Sequence, residues 1–532
     1  MHVSRRNFLV TTTAAGVSAI VRLEGQPAST PRKVFRHGVA SGDPLSDRVI
    51  LWTRVTAPPN AVPEVSWIIA RDAAFRRIVS RGTTRTAAAH DFTIKVDASG
   101  LDPATTYYYR FQALGERSPT GRTRTLPVAN ARCVRLALVS CSNYPYGYFN
   151  VYRNIAARPD LDAVLHLGDY LYEYANGQYG DGTALARVPN PDREMIALED
   201  YRLRHAQYKS DPDLQEVHRQ HPFIVVWDDH EITNNAWRDG AENHNPDRGE
   251  GEWAPRRAAA VQAFFEWMPI REDRATRQPR IYRSFAFGDL ADLVMLDTRL
   301  VDRDEQAERR ESIAVIDDPS RSLMGRAQEQ WLFSELAASS RANVTWQLLG
   351  QQVMFAAGSL PGAEAVSTDT WDGYRPARQR VIDAITHLKL PNVVVLTGDV
   401  HSSWAYDIAA NPWDGYDAAT GRGTLAVEFV TPAVSSPNGF ANDRGPERIT
   451  TLLRTRPHLK YLEGLHRGYV VLDVTRERAQ ADWFVVPTVS ERSRAETFDK
   501  GFVTEAGKPH LVGAASAVRT RTDVEDPAPS IG

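Results

Sequence analysis

Cysteine is nearly absent: Cys133 and Cys141 are the only two in 532 residues. That scarcity rules out a disulfide-stapled fold, and the two cannot pair with each other. If residues 134–140 form one extended strand, their sulfurs stand roughly 26 Å apart, far beyond disulfide reach. A surplus of either charge is missing too. With 63 lysines and arginines against 66 aspartates and glutamates, the net charge is −3. No broad basic field invites nucleic acid or an anionic membrane, so no nucleic-acid partner is implied. Internal repeats are lacking, and no apolar run makes a comfortable membrane span. What remains is a globular chain, 42% hydrophobic, whose length allows about two to four domains.

The N-terminus speaks about location. Ser4-Arg5-Arg6-Asn7-Phe8-Leu9-Val10, followed by a Thr/Ala-rich apolar stretch to Val21, resembles a twin-arginine export signal. It predicts a signal peptide over residues 1–31, the twin-arginine export machinery as a partner, and a periplasmic or extracellular mature protein. No clean Ala-x-Ala precedes Arg32, so cleavage is expected between residues 25 and 33.

Residues 35–127 read as a β-sandwich. Strand-like segments at 49–55, 65–70, 92–96 and 107–113 are separated by Pro, Gly and Asp turns, with no long helix. Leu101-Asp102-Pro103 before Tyr107, Tyr109 and Phe111 resembles the tyrosine corner of fibronectin type III-like domains. From Arg132 the texture changes to α/β. Strands are expected at 134–139, 163–167, 223–227, 293–296, 346–349 and 393–396, with helices at 148–157, 199–209, 255–267 and 324–337. A hairpin is expected at 468–474 and 481–486, closing a catalytic unit that spans 132–486. Residues 487–532 are expected to form a C-terminal segment that could fold back over the site, with a disordered tail after Thr520. The polar stretch 234–251 is long for a compact domain and reads as a functional loop.

Four short stretches carry the chemistry: VSCSN around Cys141, LGDYLY around Asp169, WDDHE around Asp229 and TGDVH around Asp399. Each follows a buried, strand-like apolar run, and buried parallel strands deliver their C-terminal ends to one rim. An unpaired thiol at such an end is either inert or a ligand; the company of the other motifs favours the ligand. Asp169 either caps a turn or binds a metal, with Tyr172 beside it if the chain turns helically. Three acids and His230 crowd residues 228–231, and a cation is the simplest way to relieve their repulsion. Asp399 and His401 point the same way if the chain is extended there. His166, inside a strand, reads as a satisfied core residue.

The order of these motifs, preceded by ASGDPLSDRVILWTRV and the fibronectin-like unit, resembles the PhoD-like alkaline phosphatases, which include some secreted phospholipases D. The resemblance implies an α/β fold: a calcineurin-like metallophosphoesterase sandwich preceded by a fibronectin type III-like β-sandwich domain. It implies ferric iron (Fe3+) on Cys141, Asp169, Tyr172 and His401. It also implies calcium (Ca2+) on Asp169, Asp229 and Asp399, with Asp228 or Asn235 as further donors. Asp169 would bridge the two. A metal-activated water or oxo nucleophile would then attack a phosphate monoester, with Asp229 and His230 as the catalytic pair and His230 contacting the phosphate or protonating the leaving oxygen. Arg204, Arg238 and Arg299 are candidate phosphate clamps. Arg299 has the best position, with a rim salt bridge as its alternative role. The same donors would serve a phosphodiesterase or phospholipase D; a degenerate, non-enzymatic surface protein would have lost ligands, and none of the main ones is missing.

Overall fold

The computed structural model describes residues 33–272 and 280–530; the expected signal peptide lies outside them. Elements are numbered in chain order. The N-terminal unit supplies β1 (Val39–Gly42), β2 (Arg48–Arg54), β3 (Glu64–Ala70), β4 (Ile78–Arg85), β5 (Thr93–Ser99), β6 (Thr106–Ala113), β7 (Glu116–Arg117) and β8 (Gly121–Arg124). There follow β9 (Cys133–Val139), α1 (Asn150–Ala156), β10 (Ala163–His166), α2 (Leu198–Tyr208), α3 (Pro212–Gln220) and β11 (Pro222–Val225). A small hairpin, β12 (Ala236–Trp237) and β13 (Gly240–Ala241), precedes α4 (Trp253–Trp267). The next layer holds β14 (Arg283–Phe287), β15 (Ala291–Met295), α5 (Ile313–Ile316), α6 (Gly325–Arg341), β16 (Trp346–Gly350), α7 (Arg375–His387) and β17 (Val393–Thr397). It continues through β18 (Ser403–Ala409), β19 (Thr424–Val430), α8 (Gly445–Thr455) and β20 (Leu459–Glu463). The chain closes with β21 (Arg467–Thr475), β22 (Arg478–Val486), β23 (Thr497–Glu505) and β24 (Lys508–Gly513).

Two large sheets face each other. The first runs β24-β23-β22-β21-β9-β10-β11-β1-β2-β5 and the second β14-β15-β16-β17-β19-β18-β20. Alternation along β15, β16 and β17 explains why both faces of the second sheet are apolar. Leu293, Leu348, Val394 and Leu396 enter the core shared with Leu136, Leu138 and Phe223 of the first sheet. Their neighbours Val294, Leu349, Val393 and Val395 pack under Leu332, Leu336, Val381 and Ile385 of α6 and α7. Strands β9, β10 and β11 are parallel, as are β15, β16, β17 and β19. A single parallel bridge, Ser140 to Ala433, joins the ends of the two layers.

Several expectations need correction. The N-terminal unit is not a self-contained sandwich. Its β1 pairs in parallel with β11 and antiparallel with β2, so β1, β2 and β5 extend the catalytic sheet. Only β3, β4, β6, β7 and β8 form a separate sheet. The tyrosine corner is present nonetheless: the Asp102 amide donates to Tyr107 Oη at 2.8 Å. The catalytic unit does not end at residue 486, because β23 and β24 add two strands to its edge. Nor are residues 521–530 disordered: Tyr108 Oη donates to the Asp526 carbonyl, Arg219 reaches that of Pro529, and Ala528 is buried. The sequence gives α3 away only in its Asp-Pro start: Asp211 accepts from the amides of Asp213 (2.9 Å) and Leu214 (3.3 Å).

Candidate metal centre

The four motif loops meet where the parallel strands end. Beyond β9, Ser140 is held by the Ala433 bridge and Cys141 turns into a left-handed conformation, φ 63°. Beyond β10, Gly168 takes φ 107°, and a Cβ there would stand 2.4 Å from that of Asp228. Glycine is therefore required for the second and third loops to touch. Asp169 (φ 54°), Asp399 (φ 66°), His401 (φ 54°) and Asn235 (φ 52°) are left-handed as well. Strained backbone clustered at one rim is a signature of a functional site. It also corrects two expectations: residues 169–172 are not helical and residues 399–401 are not extended. The side chains converge because the backbone bends sharply at each ligand.

Donor atoms of Cys141, Asp169 and His401 lie within 4.8 Å of one another, and so do those of Asp169, Asp229 and His230. Asp169 belongs to both groups. Tyr172 Oη donates to Asp169 Oδ2 at 3.0 Å, lies 3.1 Å from His401 Nε2, and accepts from Ser436 Oγ at 2.7 Å. His401 Nδ1 donates to the Pro437 carbonyl at 2.6 Å, which leaves Nε2 as the lone-pair nitrogen facing the cluster.

Burial drives the electrostatics. It pushes the Cys141 thiol well above its usual range, and neighbouring Asp169 pushes the same way. Tyr172 is raised by burial, then by Asp169 and Cys141. Asp169 is raised by burial, which the proximity of His230 only partly offsets. His401 is lowered to about 4, chiefly by burial. For His230, burial opposes the imidazolium, but Glu173, Asp229 and Asp169 together outweigh it and raise the group. Asp229 is held low against its burial by Arg299 and His230.

A second set of anions surrounds Arg299, whose side chain is fully buried. Its guanidinium contacts Asp228, reaches Asp369 at 2.7 Å and Asp399 at 3.2 Å, and lies 3.8 Å from Asp229. Arg303 and Gln306 complete the cage on Asp369, at 2.6 and 2.7 Å. Asp399 is thus brought to the rim but into neither donor group, and Asp228 is likewise bound to the arginine. Asn235 supports Asp229 through its backbone amide (2.6 Å), while its side chain donates to Glu242. Arg299 is a buried counter-ion at the rim, which is the salt-bridge role the sequence offered beside the phosphate clamp. Arg238 pairs with Asp239 on the surface. Arg204, buried, donates to the carbonyls of Tyr172 and Pro191 and braces the loop beneath the centre.

Sequence reasoning missed three residues. Glu173, fully buried, accepts from His230 Nδ1 at 2.8 Å, the Asn234 amide at 2.8 Å and Thr233 Oγ1 at 3.2 Å. It sits one residue past the quoted LGDYLY motif, which is the signal that could have found it. Glu231 binds the amides of Asp169, Tyr170 and Asp228, knitting two motif loops together. Asp369 lies in a loop with no strand before it and left no readable signal.

A buried thiol, phenol, imidazoles and carboxylates at the C-terminal rim of a two-layer α/β sandwich define a class, the metal-dependent hydrolases of phosphoric esters. The chain belongs to the PhoD-like phosphatase family, which matches residues 136–483; that family's N-terminal domain matches residues 21–127. It is 40% identical over 496 residues to alkaline phosphatase D of Bacillus subtilis (strain 168), across 90% of this chain and 82% of that one. It also superimposes on a solved structure of PhoD with a TM-score of 0.82 at 37% identity, across 93% of this chain and 95% of that one.

Proposed function

We propose that this chain is an exported alkaline phosphatase acting on phosphate monoesters through an iron-calcium centre. One observation carries the reading: donor atoms of Cys141, Asp169 and His401 converge in a buried pocket with Tyr172, where burial raises the thiol, the carboxyl and the phenol and Asp169 adds to the rise of the thiol and the phenol. Such a group is stable in its anionic form only around a cation, and thiolate with phenolate suits Fe3+. The oxygen donors of Asp229 and Asp169 suit Ca2+, with Asp228, Asp399 and Asn235 close by. Bound ions would supply Lewis-acid polarisation of the phosphoryl oxygens and a water of lowered pKa. The chain's own residues then set the chemistry. Glu173 fixes His230 and stabilises its imidazolium, which can hand a proton to the leaving oxygen. Arg299, saturated by carboxylates, places Asp228, Asp229 and Asp399 rather than gripping phosphate. Tyr179, stacked on Tyr172 at 5.6 Å and with its hydroxyl 3.3 Å from His401, walls the centre from solvent.

The two facing sheets with donors at one rim support a calcineurin-like assignment for the catalytic unit, and the Tyr107 corner supports fibronectin-like ancestry for the N-terminal one. Ser4–Val10 supports twin-arginine export to the periplasm or beyond. The test is elemental analysis with visible absorption on the folded, exported protein and its Cys141→Ala variant, with turnover of 4-nitrophenyl phosphate and its bis-ester. Iron, a charge-transfer band and monoester turnover, all lost in the variant, are expected. Unchanged activity in the variant refutes the thiolate assignment.

A further inference from the structure

None of the three arginines that the sequence offered as phosphate clamps is free to act as one. Arg299 is saturated by carboxylates, Arg204 is occupied by loop carbonyls and Arg238 pairs with Asp239. A fourth arginine stands at the rim. Strand β21 runs antiparallel to β9 and so begins where β9 ends; its pairing of Val470 with Leu138, carried three residues further, sets Arg467 opposite Cys141. The adjoining Gly468 amide donates to the carbonyl of Ala433, the residue bridged to Ser140.

The Arg467 guanidinium is held in place without being neutralised. Its Nε donates to the Ser436 carbonyl at 3.1 Å, and the hydroxyl of that same serine lies 2.7 Å from Tyr172 Oη. Its carbon lies 5.1 Å from the centre of the Tyr146 ring. The Tyr146 amide donates to Asn143, whose side-chain amide holds the carbonyl of Tyr179, the residue beside His401. Nη1 reaches only the Leu465 carbonyl, at 3.4 Å, so the partners of this cation among the described residues are carbonyls rather than carboxylates. Nη2 is buried and unpartnered. So is Nδ2 of Asn438, next to the Pro437 carbonyl that takes His401. Buried donors are nearly always satisfied, and two exceptions flanking the Ser436–Pro437 step mark a place suited to an anion.

Building on the phosphomonoesterase reading, we infer that Arg467 binds a non-bridging oxygen of the substrate phosphoryl group and selects the doubly charged monoester over the singly charged diester. A guanidinium anchored only on carbonyls keeps its full charge for the ligand, and the second charge of a monoester is what a diester lacks. The experiment compares kcat/KM for 4-nitrophenyl phosphate and for its bis-ester in the metal-loaded, full-length protein and in Arg467→Lys and Arg467→Gln. Arg467→Gln should lower the monoester-to-diester ratio roughly 10–100-fold. Its affinity for inorganic phosphate, measured by calorimetry, should weaken by a similar factor, with metal content unchanged in elemental analysis. Arg467→Lys keeps the charge without the planar fork and should fall between glutamine and wild type; it carries the test by itself if the glutamine variant does not fold. A ratio unmoved in the variants, an equal loss for both esters, or a lysine variant no better than glutamine overturns the role of Arg467 and leaves the phosphatase reading standing. Failure of the metal-loaded wild-type protein to hydrolyse either ester overturns that reading and this assignment with it.

Discussion

Two clusters of buried anions lie side by side at this rim, and they are balanced differently. Around Arg299, the protein supplies its own cation: one guanidinium serves Asp228, Asp229, Asp369 and Asp399, with Arg303 assisting at Asp369. Around the Cys141 thiol and the Tyr172 hydroxyl no arginine or lysine among the described residues makes contact, and burial lowers His401 to about 4. The first cluster has a cation of the protein's own at its middle; the second has none. A rim can thus combine a frame held by its own guanidinium with a pocket whose charge requirement is left open for an ion.

The contrast can be broken most sharply at Cys141. Cys141→Ala should lower phosphatase activity by more than the roughly 10–100-fold typical of an outer-shell partner, abolish iron binding in elemental analysis, and leave the denaturant midpoint of metal-free protein nearly unchanged. Arg299→Met should do the reverse. It strands several buried carboxylates and should cost about 3–5 kcal/mol of stability by chemical denaturation, whether or not metal is added. Glu173→Gln frees His230 and removes the anion that sustains its charge, so a roughly 10–100-fold fall in kcat is expected, with the basic limb of the pH-rate profile moved to lower pH. His166 tests the neutral ground beneath both clusters. Its folded pKa is lowered to about 3 by burial and then by Lys209, so the unfolded chain binds the proton more readily. Its contribution to stability is present above about 6.5 and is lost as pH falls from there toward 3, at up to about 1.4 kcal/mol per pH unit; thermal melts across that window should flatten in His166→Phe. Smallest of all, Tyr179→Phe removes one hydroxyl near His401 and should change kcat by about two- to fivefold, measured against 4-nitrophenyl phosphate.

What could be read from the sequence divides along the same physical line. That Cys141, Asp169, Asp229 and His401 meet at one rim was legible because each lies at or just past the end of a continuous apolar run, and a buried parallel strand leaves little doubt about where its end points. Strand and helix positions in the α/β unit were legible for the same reason, within a few residues. Glu173 and Glu231 were visible as acids but not as partners, since their roles depend on which backbone amides three loops bring together. Asp369 was invisible: it acts from a loop, across 70 residues of sequence, on Arg299. The merging of β1 with β11 was equally hidden, because pairing between residues near 41 and 222 leaves no local pattern. The order at the tail left no local pattern because its contacts, such as Glu525 with Thr106 and Arg521 with Asp162, join residues more than 300 positions apart.

The loop that closes the centre also dates its assembly. The Cys141 carbonyl accepts from Ser436 Oγ, 295 residues further along the chain, and β9, which leads into Cys141, gains its second neighbour only when β21 is made. At a synthesis rate of about 5–20 residues per second, roughly 15–60 s separate the appearance of the thiol from that of the loop that encloses it. During that interval the nascent chain presents a solvent-accessible cysteine and no pocket. On the proposed reading, ion capture waits for residues 435–440, and a ribosome-bound fragment ending before residue 430 is expected to remain metal-free by elemental analysis.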